Sequence, residues 1–122
     1  MKETVKEEIE ALLIKQKKYR DCDYSQAQLA TDLGVSTFAL SRILKQEFGM
    51  TYTALVHKHR IRDAIRQLAT PRQQHYTIDD IALLTGFGNR QSFYTAFKKE
   101  TGTTPEKYRE CVAQEKTQNK SI

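Results

Sequence analysis

No stretch of this chain is apolar for long enough to cross a bilayer, and its first residues do not read as a secretory signal. Cysteine is scarce. Cys22 and Cys111 stand far apart, form no C-x-x-C arrangement, and have no histidine spaced to complete a zinc site. They read as reduced thiols, and no metal or cofactor is expected. Nucleophile–base pairs and phosphate-cradling loops are also missing from the sequence. No catalytic residue is therefore assigned, and an enzyme is the least favoured class. Asp79 and Asp80 form a carboxylate pair on paper, but acids in a first helical turn have a simpler role facing the positive end of the helix dipole.

What is present fits helices with one buried face. The 122 residues suit one compact domain or two very small ones, with 39% hydrophobic and 29% charged residues. A formal net charge of +5 favours a polyanionic partner.

Residues 1–18 read as an amphipathic helix, with Thr4 and Glu7 at capping-box spacing and Val5, Ile9, Leu12, Leu13 and Gln16 on one stripe. Residues 21–24 form a connector. A helix then starts at Ser25, with Gln28 at the reciprocal capping position, and turns Leu29, Ala30 and Leu33 inward before stopping at Gly34. Ser36 caps the next helix, residues 37–48, which buries Leu40, Ile43, Leu44 and Phe48 and exposes Thr37, Ser41, Arg42, Lys45 and Gln46. Residues 51–69 contain no Gly or Pro and read as one long helix. Its apolar stripe is Ala54, Leu55, Ile61, Ala64, Ile65 and Leu68, and its basic side faces solvent or phosphate. His57 and His59, two apart, point to different sides and read as solvent-exposed. Residues 70–76 form a polar loop broken by Pro71. Thr77 caps a short helix that ends in a glycine turn. A further helix follows with Phe93 and Phe97 inside and Asn89, Arg90, Gln91, Tyr94 and Lys98 outside. Thr104 and Pro105 start the last helix, and residues 114–122 read as a polar, frayed tail.

The pattern repeats. Leu29-Ala30, Gly34, Leu40, Leu44-Lys45 and Gly49 match Ile81-Ala82, Gly86, Phe93, Phe97-Lys98 and Gly102 if one residue is inserted in the second turn. The simplest account is two helix-turn-helix units, each with its second helix shaped for a DNA major groove. The fold expected is all-α, with about seven helices and two such subdomains joined by a long central helix. The divisions are 1–50, 51–69 and 70–113, followed by the tail 114–122. Neither short unit holds a full core alone, so the first and central helices must cover both. Two reading helices in one chain reach successive groove segments about 34 Å apart only if roughly parallel; otherwise the DNA must bend, at about 1–6 kcal/mol.

The second unit also carries a family pattern. Ile81-Ala82, Gly86-Phe87, Ser92-Phe93-Tyr94, Phe97-Lys98-Lys99, Gly102, Pro105 and Tyr108-Arg109 resemble the signature of the AraC/XylS-type bacterial transcription regulators. The likeness covers residues 24–109. It implies seven helices, a bipartite double-stranded DNA site, and activation or, less often, repression of transcription. Carried over, it implies base readers Phe38, Ser41 and Arg42, with Lys45 near phosphate, in the first unit. In the second it implies Asn89, Arg90, Gln91, Tyr94 and Thr95, with Lys98 beside them. Arginine suits guanine, and Asn or Gln suits adenine. The backbone amides that open the helices, those of Gln26 and Ile78 included, are the expected phosphate anchors. The first unit departs from the pattern, with Leu44 where the second has Phe97, and its short Thr37 and Ser41 predict weaker base readout.

The family often carries a ligand-sensing or dimerising domain ahead of this part. We therefore expect a piece of a longer protein rather than a stand-alone regulator, with the DNA-binding part monomeric. RNA polymerase is the implied protein partner. The implied location is the cytoplasm, at the nucleoid, or a membrane-tethered parent protein. The competing function is a helical interaction module that contacts the transcription machinery without reading bases.

Overall fold

Each α-helix of the computed structural model begins where a short polar side chain supplies an acceptor for unpaired first-turn amides. The structure describes residues 4–70 and 75–120, with side chains described to residue 113. Thr4, Ser25, Ser36, Thr51, Thr77 and Asn89 cap α1 (Val5–Ile9), α2 (Gln26–Leu33), α3 (Thr37–Phe48), α4 (Tyr52–Ala69), α5 (Ile78–Leu84) and α6 (Arg90–Thr101). Thr104 accepts from the amide of Lys107 at the start of α7 (Pro105–Lys120). Among the described residues there are seven α-helices and no strand, and no helix is long and apolar enough to cross a membrane.

The first helix departs from the expected single α-helix. The Thr4–Glu7 capping box forms, but after Ile9 the chain takes a π-helical turn over Glu10–Lys15. Lys17 then adopts a left-handed conformation, φ 57°, ahead of a tight 3-10 turn at Lys18–Arg20. The extra residue per turn rotates the stripe. Ile9 and Leu13 stay fully buried, whereas Gln16, read as part of the stripe, is exposed. Val5, also read on the stripe, shares the Ile9 face and is exposed at the open first turn of α1. Met1 to Glu3 lie outside the described residues.

Two cores result, and α4 serves both. Ile9 and Leu13, with Leu29, Ala30, Leu40 and Leu44 of α2 and α3, pack on Leu55 and Val56 of α4. Ile81, Ala82, Phe87, Phe93, Ala96 and Phe97 pack on Ile61, Ala64 and Leu68, farther along the same helix. The expectation that the first helix covers both units holds for the first core only. In the second, Tyr108 of α7 packs its ring edge-on to Phe97, with centroids 5.7 Å apart.

The faces of α4 differ from the sequence reading. Ala54 is exposed and Ile65 half-buried. Arg60, read as part of a solvent face, is 8% exposed and Asp63 is 1% exposed. His57 and His59 are half-buried rather than exposed, lying against Phe87 (5.6 Å) and Tyr19 (6.2 Å) respectively. The reason is that the chain at Tyr19 and Arg20 lies across α4. There Asp63 accepts from Arg20 and from the Tyr19 hydroxyl, and Arg60 donates to the Tyr19 carbonyl. In α3, Ile43 and Phe48 are half-buried rather than fully inside. The loop at 70–76 falls partly outside the described residues, at 71–74. The backbone of α7 is helical to Lys120, where a frayed tail was expected from Gln114.

Candidate nucleic-acid interface

The two helix-turn-helix units share one hydrogen-bond register. In the first turn the amide of Gly34 donates to the Thr31 carbonyl and that of Val35 to Ala30. In the second, Gly86 donates to Leu83 and Phe87 to Ala82. Both are glycine-terminated helix ends closing at the same offset. One residue, Val35, separates Gly34 from its next cap, Ser36, and two, Phe87 and Gly88, separate Gly86 from Asn89, which accounts for the inserted residue. From cap to cap the correspondence is then residue for residue. Leu40 and Leu44 match Phe93 and Phe97, all fully buried.

The same register pairs Phe38 with Gln91, Ser41 with Tyr94, Arg42 with Thr95 and Lys45 with Lys98. These positions fall one turn apart on the side away from each core, with Ser41 and Tyr94 at its edge, where Tyr94 packs against the second core. Phe38, Arg42, Lys45, Gln91, Thr95 and Lys98 are exposed, and Ser41 and Tyr94 are half-buried. Each unit therefore presents a polar, cation-bearing stripe on its second helix.

The stripes differ in how they are held. On α3, Phe38 is 74% exposed, and the Arg42 guanidinium sits 6.0 Å from its ring centroid. A phenyl ring packed into the protein would be covered, so Phe38 is surface rather than core. Ser41 accepts a 2.7 Å hydrogen bond from the Gln26 carboxamide, tying α3 to the start of α2. Gln28, at the reciprocal capping position, donates to Asp32 instead.

On α6, Asn89 spends its carboxamide oxygen as the cap, accepting from Ser92 at 2.8 Å. Arg90 lies over the Tyr94 ring at 5.0 Å and donates to its hydroxyl at 3.1 Å. It is also within 3.7 Å of both Asp79 and Glu106. Tyr94 in turn donates to Glu106. These exposed pairs are weak, so Arg90 is parked rather than locked. From the sequence Asp79 reads only as a first-turn acid and Glu106 is not singled out; neither reads as a partner of Arg90. Glu106 lies twelve residues beyond Tyr94, and only the packing of α7 on α6 joins them. At the start of α5, Thr77 and Asp80 occupy each other's amides, and Asp79 adds a further negative charge. That arrangement disfavours a phosphate at Ile78.

Asp21, Cys22 and Asp23 are exposed and lie near one another, but acids beside one thiol on a surface turn make no built site. Cys22 and Cys111 are free thiols, as expected.

Comparison with known proteins agrees with this geometry. Residues 29–110 match a family model described as a helix-turn-helix domain. The chain is 38% identical over 82 residues to a probable transcription factor, PqrA, of Proteus vulgaris, a match covering 67% of this chain and 65% of the relative. It is 31% identical over 83 residues to the xylose operon regulatory protein of Escherichia coli strain K12, covering 68% of this chain but 20% of that one. Among solved structures, the C-terminal domain of AraT, a response regulator from Geobacillus stearothermophilus, superposes with a TM-score of 0.71 at 34% identity. That match covers 79% of this chain and 77% of the other. The chain thus spans from a fifth to about two thirds of these full-length relatives.

Proposed function

The chain belongs to the AraC-type helix-turn-helix family of transcription regulators, and from that premise we propose that it binds double-stranded DNA sequence-specifically and activates transcription. One observation carries this reading. The two units repeat the same cap-to-cap register, and each turns its second helix's polar stripe outward. In this reading α3 and α6 enter successive major-groove segments of a bipartite site. Phe38, Ser41 and Arg42 face bases from α3, with Lys45 at phosphate. Asn89, Arg90, Gln91, Tyr94 and Thr95 face them from α6, with Lys98 at phosphate. Arg90 reaches guanine by leaving Asp79 and Glu106, a small cost for exposed pairs.

A single chain carries both reading helices, so a monomer suffices for an asymmetric site. RNA polymerase is the protein partner proposed for activation. A sensing or dimerising domain belongs to the longer protein of which we take this chain to be a part. The reading places the chain with bacterial DNA in the cytoplasm and involves no catalytic step.

The test is a salt titration on a duplex selected from a random library. Binding through several phosphates predicts a loss of about 100-fold or more in affinity between about 50 and about 200 mM salt. A protein with no measurable affinity for duplex DNA at low salt would sink the proposal and leave the interaction-module reading standing.

A further inference from the structure

A segment of the first unit meets the turn of the second at one buried junction. Tyr19 belongs to the first core, yet its carbonyl accepts from Nε of Arg60 at 2.6 Å. The Arg60 guanidinium lies 5.7 Å from the centroid of Phe87, a core residue of the second unit. Its Nη2 donates to the Asp21 carbonyl at 3.2 Å. One turn farther along α4, Asp63 holds both Arg20 and the Tyr19 hydroxyl. Gly86 closes the junction from the other side. A Cβ there would stand 2.2 Å from the Tyr19 carbonyl oxygen, 2.7 Å from Nε of Arg60 and 2.8 Å from Cα of Arg20. The turn that leads to α6 is thus seated on the chain that leads to α2.

A long helix shared by two units is not by itself a rigid strut, because helices bend and their flanking domains swing about them. A second attachment away from the helix axis resists that swing. Resting on the DNA-binding reading above, we propose that this junction fixes the half-site spacing the protein accepts, with Arg20, Asp63 and Gly86 as positioning residues for α3 and α6. None of the three lies on the outward stripes, so their effect on DNA is on the distance and angle between two readers. One base pair of extra spacing shifts a half-site by about 3.4 Å and turns it by about 35°. A stiff pair of readers must discriminate against that change.

The experiment compares the full chain with Arg20→Ala on a selected duplex and on duplexes with the half-sites moved apart or together by one base pair. Wild type should lose about tenfold or more in affinity on the altered spacings, the scale of a lost base contact. Arg20→Ala should bind all three duplexes within about twofold, and each isolated half-site like wild type. A folded Arg20→Ala that keeps the wild-type spacing profile overturns the proposal. Arg20→Lys, which keeps the charge but loses the two-pronged grip, serves if the alanine variant does not fold. A DNA-free measurement separates this proposal from the function it rests on. Spin labels at Gln46 and Lys99, equivalent exposed positions on α3 and α6, report the inter-helix distance once Cys22 and Cys111 are replaced by serine. The distance distribution should be narrow in wild type and broad in the Arg20 variants. Equal widths refute the junction's role even if DNA binds, and different widths support it even if DNA does not.

Discussion

Arg20 grips Asp63 through two hydrogen bonds, Nε to Oδ2 at 2.6 Å and Nη2 to Oδ1 at 3.0 Å, across 43 positions of chain. The carboxylate is 1% exposed, the arginine side chain 35%. Tyr19 donates to the same carboxylate at 2.9 Å, and Gln67 at 3.4 Å. Removing Arg20 leaves a buried charge without its main partner. Arg20→Ala should destabilise the fold by about 2–3 kcal/mol in urea unfolding. That is below the full range for a dry pair, because the outer edge of Arg20 meets water. Tyr19→Phe removes one donor and should cost about 1 kcal/mol. Equal losses from the two variants would show that the arginine is not the dominant partner.

Stability should fall with acid in two windows. Burial pushes the Asp63 carboxyl up, but the hydrogen bonds from Arg20 and Tyr19 outweigh it, so the group ends below the ordinary carboxylate range. A depressed folded-state pKa gives stability that is full above the unfolded value and lost as pH falls through the folded one. Asp63→Asn should therefore flatten the acid limb of a stability–pH curve below about pH 4. His57 and His59 are also depressed, by burial first and by neighbouring cations second, Arg60 and Lys99 for His57 and Arg62, Lys58 and Arg66 for His59. The unfolded chain then takes up protons before the folded one, and stability drops as pH falls from about 6.5. Replacing His59 with Gln should reduce that slope; an unchanged slope would remove His59 from the account.

Two glycines should respond unequally to alanine. Gly34 has φ 73° and open space where a Cβ would stand, so Gly34→Ala carries backbone strain alone, about 1–2 kcal/mol. Gly86 has φ 106° and backbone within 2.2 Å of that point. Strain and overpacking together should cost Gly86→Ala about 2–5 kcal/mol. Thermal or urea unfolding of both variants checks the order, and a Gly34 variant as unstable as the Gly86 one would contradict it.

Roles on the stripes separate by sequence dependence. Arg90→Ala should weaken a selected site by about 1–3 kcal/mol and relax one base position, whereas Lys98→Ala should weaken all duplexes nearly alike. Identical behaviour on selected and random DNA would mean that the roles are misassigned.

Phe38 offers a different chemistry, since an exposed phenyl has no hydrogen bond to give. Its match in the groove is the thymine methyl. Replacing thymine by uracil, one position at a time, should weaken wild type by about two- to fivefold at one position, about the worth of one buried methyl. Phe38→Ala should be blind to that change. A wild-type protein that ignores every uracil would remove Phe38 from base reading.

The local signals read from the sequence were those that short-range chemistry writes. Thr4 with Glu7, Ser36 ahead of α3, Thr77 ahead of α5 and Gly34 after α2 act on amides a few residues away, so their meaning survives without a fold. Periodicity likewise exposed the repeat, because Leu40 and Leu44, and Phe93 and Phe97, sit one turn apart on one face. Where a break in helix type rotated the register, as at Glu10–Lys15, periodicity assigned Gln16 to the wrong side, whereas Val5 shares the Ile9 face and is exposed at the open first turn of α1.

The sequence by itself determined the helices from α2 to α6 with their ends, the two-unit repeat and the outward stripes, since all follow from spacing along one chain. Only the tertiary structure decided that Arg60 and Asp63 lie inside, that Glu106 and Asp79 park Arg90, and that Gly86 rests on Tyr19. Each of these joins residues far apart in sequence. A charged side chain on a helix looks the same whether it meets water or the backbone of a crossing segment, and only packing tells the two apart.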